Sequence, residues 1–299
     1  NIISPLKIKT FIIIFCLIAA ATGITYASGQ KLKVIASIVP LADFARQVGG
    51  DRVDVILMLP PGSSPHTYEP TPKTIQEISG ASIFIKIGAG LEFWTDRIIN
   101  AVNPDIKVME CSKGIDLIKL DTRNRTTGGH GAVDPHIWLD PLNSIKIIEK
   151  ISAAFSASDP GNSSFYKKNA TGYIRKLKEL DSEIAGRIAT FRTKKYVTFH
   201  PAWNYFARRY GLEIAGVIKE GAGHEPTPKH LGRILLELKK MRNPVIFAEP
   251  QFSPKTAEAI AREAGGKVLF LDPIGGQEGR KTYIDMMRYN LSVLESAMK

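Results

Sequence analysis

The chain is poor in the residues that mark several common protein classes. It has two cysteines in 299 residues, which excludes a disulfide-rich scaffold. Aromatic residues make up only 8%, and no RNA-binding or zinc-finger signature is present. The formal net charge of +11 is spread along the chain without a dense basic run, so we do not expect a nucleic-acid partner. A basic surface of this kind suits an anionic setting such as a cell envelope.

Long hydrophobic runs are also lacking. The most apolar stretch, residues 11–21, is too short for a comfortable membrane span. Two lysines precede it and small residues follow at 25–29, so the sequence predicts a secretory signal peptide over 1–29. We therefore expect a periplasmic or extracytoplasmic protein. The alternative interpretation of this segment is an uncleaved N-terminal membrane anchor. We expect no lipid anchor at Cys16, because no small residue directly precedes that cysteine.

What is present is a regular alternation of strand-like and helix-like segments. The balance of 44% hydrophobic and 23% charged residues is that of a globular protein. The pattern predicts a strand at residues 32–37 and a helix at 41–48 that ends at two glycines. The same alternation of strands and helices repeats in the later half of the chain, from residue 196 onward. This pattern predicts an α/β fold of two lobes, each a mostly parallel sheet of about four strands flanked by helices. The predicted bounds are 30–160 for the N-terminal lobe and 193–299 for the C-terminal lobe.

Residues 161–192 are predicted to form one long, rigid helix that connects the lobes. Four aliphatic residues recur there at helical spacing: Leu177, Leu180, Ile184 and Ile188. A helix of about 30 residues is about 45 Å long and stiff, so the lobes should move little relative to each other. The alternative is two helices broken near Gly172 or Gly186.

Three histidines and one aspartate form a candidate metal site. His66 lies in a loop past a strand, His136 precedes a capped helix, and His200 and Asp272 directly follow strands. In open parallel sheets, ligands bind outside the carboxyl ends of the strands, so residues from both halves can converge in a cleft. Three imidazoles and a carboxylate suit zinc. The spacing alone does not exclude ordinary roles for these residues. Each histidine could be a surface or core residue, and Asp272 could initiate a turn before Pro273.

The other ionisable candidates are weaker. We interpret His130, in the Gly-rich loop 122–132, and also His224 and His230 as surface residues. If residues 1–29 are removed, Cys111 is the single cysteine, and a buried thiol at a strand end is favoured over a metal ligand.

Five motifs carry a resemblance to a known family across nearly the whole mature chain. They are Pro65-His66-Thr67-Tyr68-Glu69-Pro70, Asp134-Pro135-His136-Ile137-Trp138-Leu139-Asp140-Pro141, Phe199-His200-Pro201-Ala202-Trp203-Asn204-Tyr205-Phe206, Phe247-Ala248-Glu249-Pro250-Gln251-Phe252 and Leu271-Asp272-Pro273. The chain resembles the zinc-specific solute-binding proteins of bacterial ABC importers, the cluster A-I metal-binding group. The resemblance implies two lobes, a rigid connecting helix and a metal site between the lobes. We therefore expect a binding protein, not an enzyme, that captures Zn²⁺ and delivers it to membrane permease and ATPase subunits, and we expect it to be a monomer.

The same resemblance assigns the ligands. It places them at His66 and His136 in the first lobe and at His200 and Asp272 in the second. Manganese-binding relatives usually have glutamate where this chain has His200, and a third imidazole favours zinc. The alternative is a manganese-binding or mixed-metal protein of the same family. The loop 122–132 is shorter than the His- and Asp-rich loop of many zinc members, which makes a secondary zinc-collecting site doubtful.

Two further acids stand close to the predicted ligands in the sequence. Glu69 and Glu249 could each accept a hydrogen bond from a ligand histidine and fix its tautomer. The ordinary reading is that they are loop and strand-end acids.

Two other classes of function compete with metal delivery. A secreted zinc hydrolase needs an open water position on the metal, which a fourth protein ligand would fill, and the chain has no His-Glu-x-x-His motif. A surface adhesin built on the same fold is the other alternative.

Overall fold

The computed structural model describes residues 31–120, 132–219 and 225–299. The predicted signal peptide with Cys16, and also His130 and His224, lie outside the described residues. Within the described ranges, no helix combines the length and the apolar character that crossing a membrane requires.

The first half contains a parallel sheet of four strands, β1 Leu32–Ala36, β2 Val53–Leu57, β3 Ile83–Lys86 and β4 Lys107–Glu110. The strands lie in the order β2-β1-β3-β4. Its helices are α1 Val39–Gly49, α2 Pro72–Ser79, α3 Thr95–Val102 and α4 Pro141–Ser158, with 3₁₀ turns at Gly50–Arg52, Ile137–Leu139 and Pro160–Asn162. Short apolar strands between amphipathic helices produce this layering, because each helix buries its apolar face on the sheet.

The second half contains a parallel sheet of the strands β5 Lys195–Thr198, β6 Glu213–Val217, β7 Val245–Ala248 and β8 Lys267–Phe270. Their order, β6-β5-β7-β8, repeats the topology of the first half. Its helices are α6 Asn204–Tyr210, α7 Pro228–Lys239, α8 Lys255–Glu263 and α9 Tyr283–Met298. The prediction of two parallel four-stranded sheets flanked by helices is therefore confirmed.

A single long helix, α5 Ser163–Ala189, joins the two halves. Its 27 residues correspond to about 40 Å, and it is not broken at Gly172 or Gly186. A Cβ added at either glycine would meet nothing within 4 Å, so neither marks a close approach of another element. The four aliphatic residues identified from the spacing are all buried. The domain bounds 30–160, 161–192 and 193–299 stay predictions.

The two halves share one hydrophobic core, which includes side chains from α1, α5, α6 and α9. Buried hydrogen bonds also cross between the halves. Trp138 Nε1 donates to Pro273 O at 2.7 Å, and Tyr283 OH donates to Trp138 O at 2.7 Å. Asp43 Oδ2, on α1, accepts from Tyr173 OH at 3.0 Å and from Tyr283 N at 2.8 Å. The connection between the halves is therefore more than a single helix.

Candidate metal centre

His136 lies in a short segment that is held at both ends. After it, the 3₁₀ turn Ile137–Leu139 leads into α4, which Asp140 caps by accepting from Leu142 N at 2.9 Å. Before it, Asp134 Oδ1 lies 2.7 Å from His136 Nδ1 and accepts from His136 N at 3.0 Å. Because a carboxylate only accepts hydrogen bonds, it places the ring proton on Nδ1 and leaves the Nε2 lone pair for another partner.

Residues of the second half hold Asp134 in turn. Asn204 Nδ2 donates to Asp134 Oδ2 at 3.0 Å, and Tyr205 OH donates to Asp134 O at 2.9 Å. Tyr205 OH also accepts from Ile118 N at 3.0 Å. Since Asn204 and Tyr205 open α6, just after His200, the second half fixes the orientation of a histidine in the first.

His200 lies two residues beyond the end of β5. In each sheet, successive strands are added first on one side and then on the other, so the order reverses between β1 and β3 and between β5 and β7. Open α/β sheets bind ligands at such a reversal. Glu249 directly follows β7, and its Oε2 lies 3.5 Å from His200 Nδ1. Glu249 is buried, and its Oε1 has no hydrogen-bond partner among the described residues. This acid therefore faces a predicted ligand, at a distance longer than an ordinary hydrogen bond.

His66 completes a tight group with His136 and His200. It lies in the loop between β2 and α2. The three side chains are buried, with exposed fractions of 7%, 2% and 3%. One ring nitrogen from each lies within 4.8 Å of the other two. The Nε2 atoms of His66 and His136 are 3.3 Å apart, which is also about the separation of two ligands 2.05 Å from a tetrahedral zinc ion.

The cavity beside these rings is very small. Its volume is about 10 Å³, and Ser64, Gln251, Phe252, Pro273 and Ile274 line it together with the three histidines and Glu249. A space of this size is close to the minimum for one water molecule. A space of this size suits a bare or nearly bare ion.

Asp272 lies beside this group but outside it. Its Oδ1 accepts from Ile274 N at 3.0 Å, from Gly275 N at 2.9 Å and from Gln251 Nε2 at 3.3 Å. Its Oδ2 lies 3.3 Å from Arg280 Nη1 and has no hydrogen-bond partner among the described residues. Gln251, which donates to Asp272, lines the cavity, as do Pro273 and Ile274, but the Asp272 carboxylate does not belong to the group of ligand atoms within 4.8 Å of one another.

The remaining sequence candidates are not part of the cluster. Glu69 is exposed. His230 lies in the first turn of α7, where its Nε2 is 2.8 Å from Val217 O. Cys111 is buried, and burial raises the pKa of its thiol, which disfavours the thiolate that a metal requires.

The groups that hold His136 were not among the residues predicted from the sequence, whereas Glu249, which faces His200, was. Asp134 and Asn204 stand within quoted motifs, two and four residues from a predicted ligand, so proximity in sequence was an available signal. Nothing in the sequence pointed to Arg280, which becomes a neighbour of Asp272 only in the folded chain.

The chain is similar to known metal-binding proteins over most of its length. A model of the family described as zinc-uptake complex component A, periplasmic (ZnuA), matches residues 34–297. The chain is 30% identical over 297 residues to the manganese-binding lipoprotein MntA of Halalkalibacterium halodurans, with 96% of each chain covered. It is 31% identical over 307 residues to the high-affinity zinc uptake system protein ZnuA of Bacillus subtilis, again with 96% of each covered. A crystal structure of ZnuA matches with a TM-score of 0.81 and 29% identity, covering 90% of this chain and 99% of that one.

These relatives differ in the metal that their names give. One is named for manganese and the other for zinc, although both are similar to this chain over the same share of its length. One of them is named a lipoprotein, so the expectation that a lipid anchor is absent gains no support.

Proposed function

The chain belongs to the zinc-uptake complex component A family of metal-binding substrate-binding proteins of ABC transporters, and on that premise we propose that it captures Zn²⁺ and delivers it to an importer. The family consists of substrate-binding transport proteins, so the chain is not an enzyme, and its substrate is a divalent metal ion. The observation that most supports zinc is the buried group of three imidazoles, to which the first half contributes His66 and His136 and the second half His200.

We propose His66, His136, His200 and Asp272 as the four ligands. Three neutral nitrogens and one carboxylate are a donor set that zinc accepts readily, whereas manganese prefers more oxygen ligands. The 3.3 Å between the Nε2 atoms of His66 and His136, which matches the separation of two ligands of a tetrahedral zinc ion, supports this choice. The small cavity beside the rings supports it too. Asp134 fixes the proton on His136, and Glu249 faces His200 in a similar position.

Capture then consists of stripping water from the ion as protein atoms replace it. Because the ligands come from both halves, and because Trp138 and Tyr283 tie the halves together, release to the importer needs only small displacements. The proposed location is outside the cytoplasm, after export directed by residues 1–29. The lobes at 30–160 and 193–299, with the connecting segment 161–192, are the proposed domains.

Zinc affinity is expected to depend steeply on pH. An imidazole must be neutral to bind a metal, so protons compete with zinc at three positions. The competition is weak at high pH and grows as pH falls through the range near 6.5 where free histidine titrates. We expect a loss of at least about 100-fold in affinity between pH 7.5 and pH 5. Competition of metal-stripped protein with a calibrated chelator at each pH measures it, and equal affinity at the two pH values would contradict the ligand set.

Asp134→Asn is expected to weaken zinc binding by about 10- to 100-fold, since the amide no longer fixes the ring proton of His136 as a carboxylate does. The same chelator competition measures this. Asp159→Asn is the matched control, because Asp159 also accepts hydrogen bonds from a tyrosine and an asparagine but lies between α4 and the 3₁₀ turn Pro160–Asn162. Equal losses in the two variants would show that the effect is a general one on folding.

A further inference from the structure

Arg280 is a cation fixed beside a proposed zinc ligand. It lies in the loop between β8 and α9, and its side chain is 14% exposed. Its Nη2 donates to Gln277 Oε1 at 2.5 Å, and its guanidinium lies 4.5 Å from the centre of the Tyr289 ring. Its Nη1 lies 3.3 Å from Asp272 Oδ2. Three separate contacts therefore hold the guanidinium against this carboxylate.

The two oxygens of Asp272 have different surroundings. Oδ1 accepts from two backbone N–H groups and from Gln251. Oδ2 faces Arg280 without a well-aligned hydrogen bond. Oδ2 is therefore the oxygen that can change partner, and the group that faces it is a guanidinium that stays charged at any physiological pH. A divalent ion bound by Asp272 must share this oxygen with the guanidinium or displace it, and either way it meets a like charge.

We propose that Arg280 is an internal competitor for the metal, which neutralises Asp272 when the site is empty and lowers the affinity of the filled site. This inference rests on the proposed function, because it takes Asp272 as a ligand. Arg280 is thus a positioning residue that sets the balance between capture and release. In the metal-free protein it stabilises a buried carboxylate, and in the metal-bound protein it speeds the departure of the ion.

The test compares the full-length chain with Arg280→Met and Arg280→Gln, two neutral variants of which the first retains an apolar stem over Tyr289. Both are expected to bind zinc about tenfold more tightly by chelator competition, and to release it more slowly in a chelator chase. Their metal-free forms should unfold at a lower temperature, while the rise in unfolding temperature on adding zinc should become larger. A purely structural role would not produce these opposite signs. Arg280→Lys, which keeps the charge, should retain the wild-type affinity.

Two controls separate the possible failures. Arg288→Met removes a cation on α9 that pairs with Glu183, and it should leave zinc affinity unchanged. In an Asp272→Asn background, Arg280→Met should no longer tighten binding, because the carboxylate for which the two cations compete is gone. Unchanged or weaker binding by both neutral variants, with a wild-type chain that binds zinc, would overturn the inference alone. A wild-type chain that binds no zinc would overturn the proposed function itself.

Discussion

Replacing His200 with alanine is expected to weaken zinc binding by at least about 100-fold, more than the loss of a group that only orients a ligand. His200 is the proposed ligand that the second half contributes to the imidazole group, and its ring centre lies 5.0 Å from those of both His66 and His136. Without it, two imidazoles and a carboxylate remain, and the buried Glu249 loses its neighbour. Chelator competition at pH 7.5 measures the change.

His230→Ala is the matched control for that variant. His230 also belongs to the second half, but it lies in the first turn of α7 near Val217 O and outside the imidazole group. Its removal should leave zinc affinity unchanged. If His200→Ala bound zinc as tightly as the wild type, His200 would have no place in the site.

Saturating zinc is expected to raise the unfolding temperature by about 8 to 16 °C. At a free zinc concentration 1,000 times the Kd, mass action stabilises the folded state by about 4.1 kcal/mol. For a protein of this size each kcal/mol corresponds to about 2 to 4 °C. Bound zinc should stabilise both halves, because the proposed ligands come from both and the unfolding of either half releases the ion.

Calorimetry of metal-stripped protein with and without zinc measures this shift. A chelator in excess should reverse it, and His200→Ala should show little shift at the same zinc concentration. The absence of any shift in the wild type would argue against a site built from both halves.

Local patterns in the sequence were enough to predict most of the fold. Short apolar strands alternating with amphipathic helices gave two parallel sheets, and the spacing of Leu177, Leu180, Ile184 and Ile188 gave the long helix. The strand-end positions of His200 and Asp272 also followed, because a residue just past a parallel strand lies at the binding edge of its sheet.

Contacts between residues distant in the chain could not be predicted in the same way. Asn204 reaches Asp134, and Trp138 reaches Pro273, only because the two halves pack on one core. The pairing of Asp272 with Arg280 depends on the path of an irregular loop, which has no periodic pattern. Thus the sequence indicated which residues could bind a metal, whereas the folded chain was needed to show what orients them.

A competitive titration shows whether this family member selects zinc over manganese. Metal-stripped protein comprising residues 30–299 is titrated with Zn²⁺ in the presence of a large excess of Mn²⁺. We expect tight binding of one zinc ion per chain that manganese does not disturb. Manganese that competes on equal terms would contradict it, and would make the chain a metal-binding protein of broader selectivity.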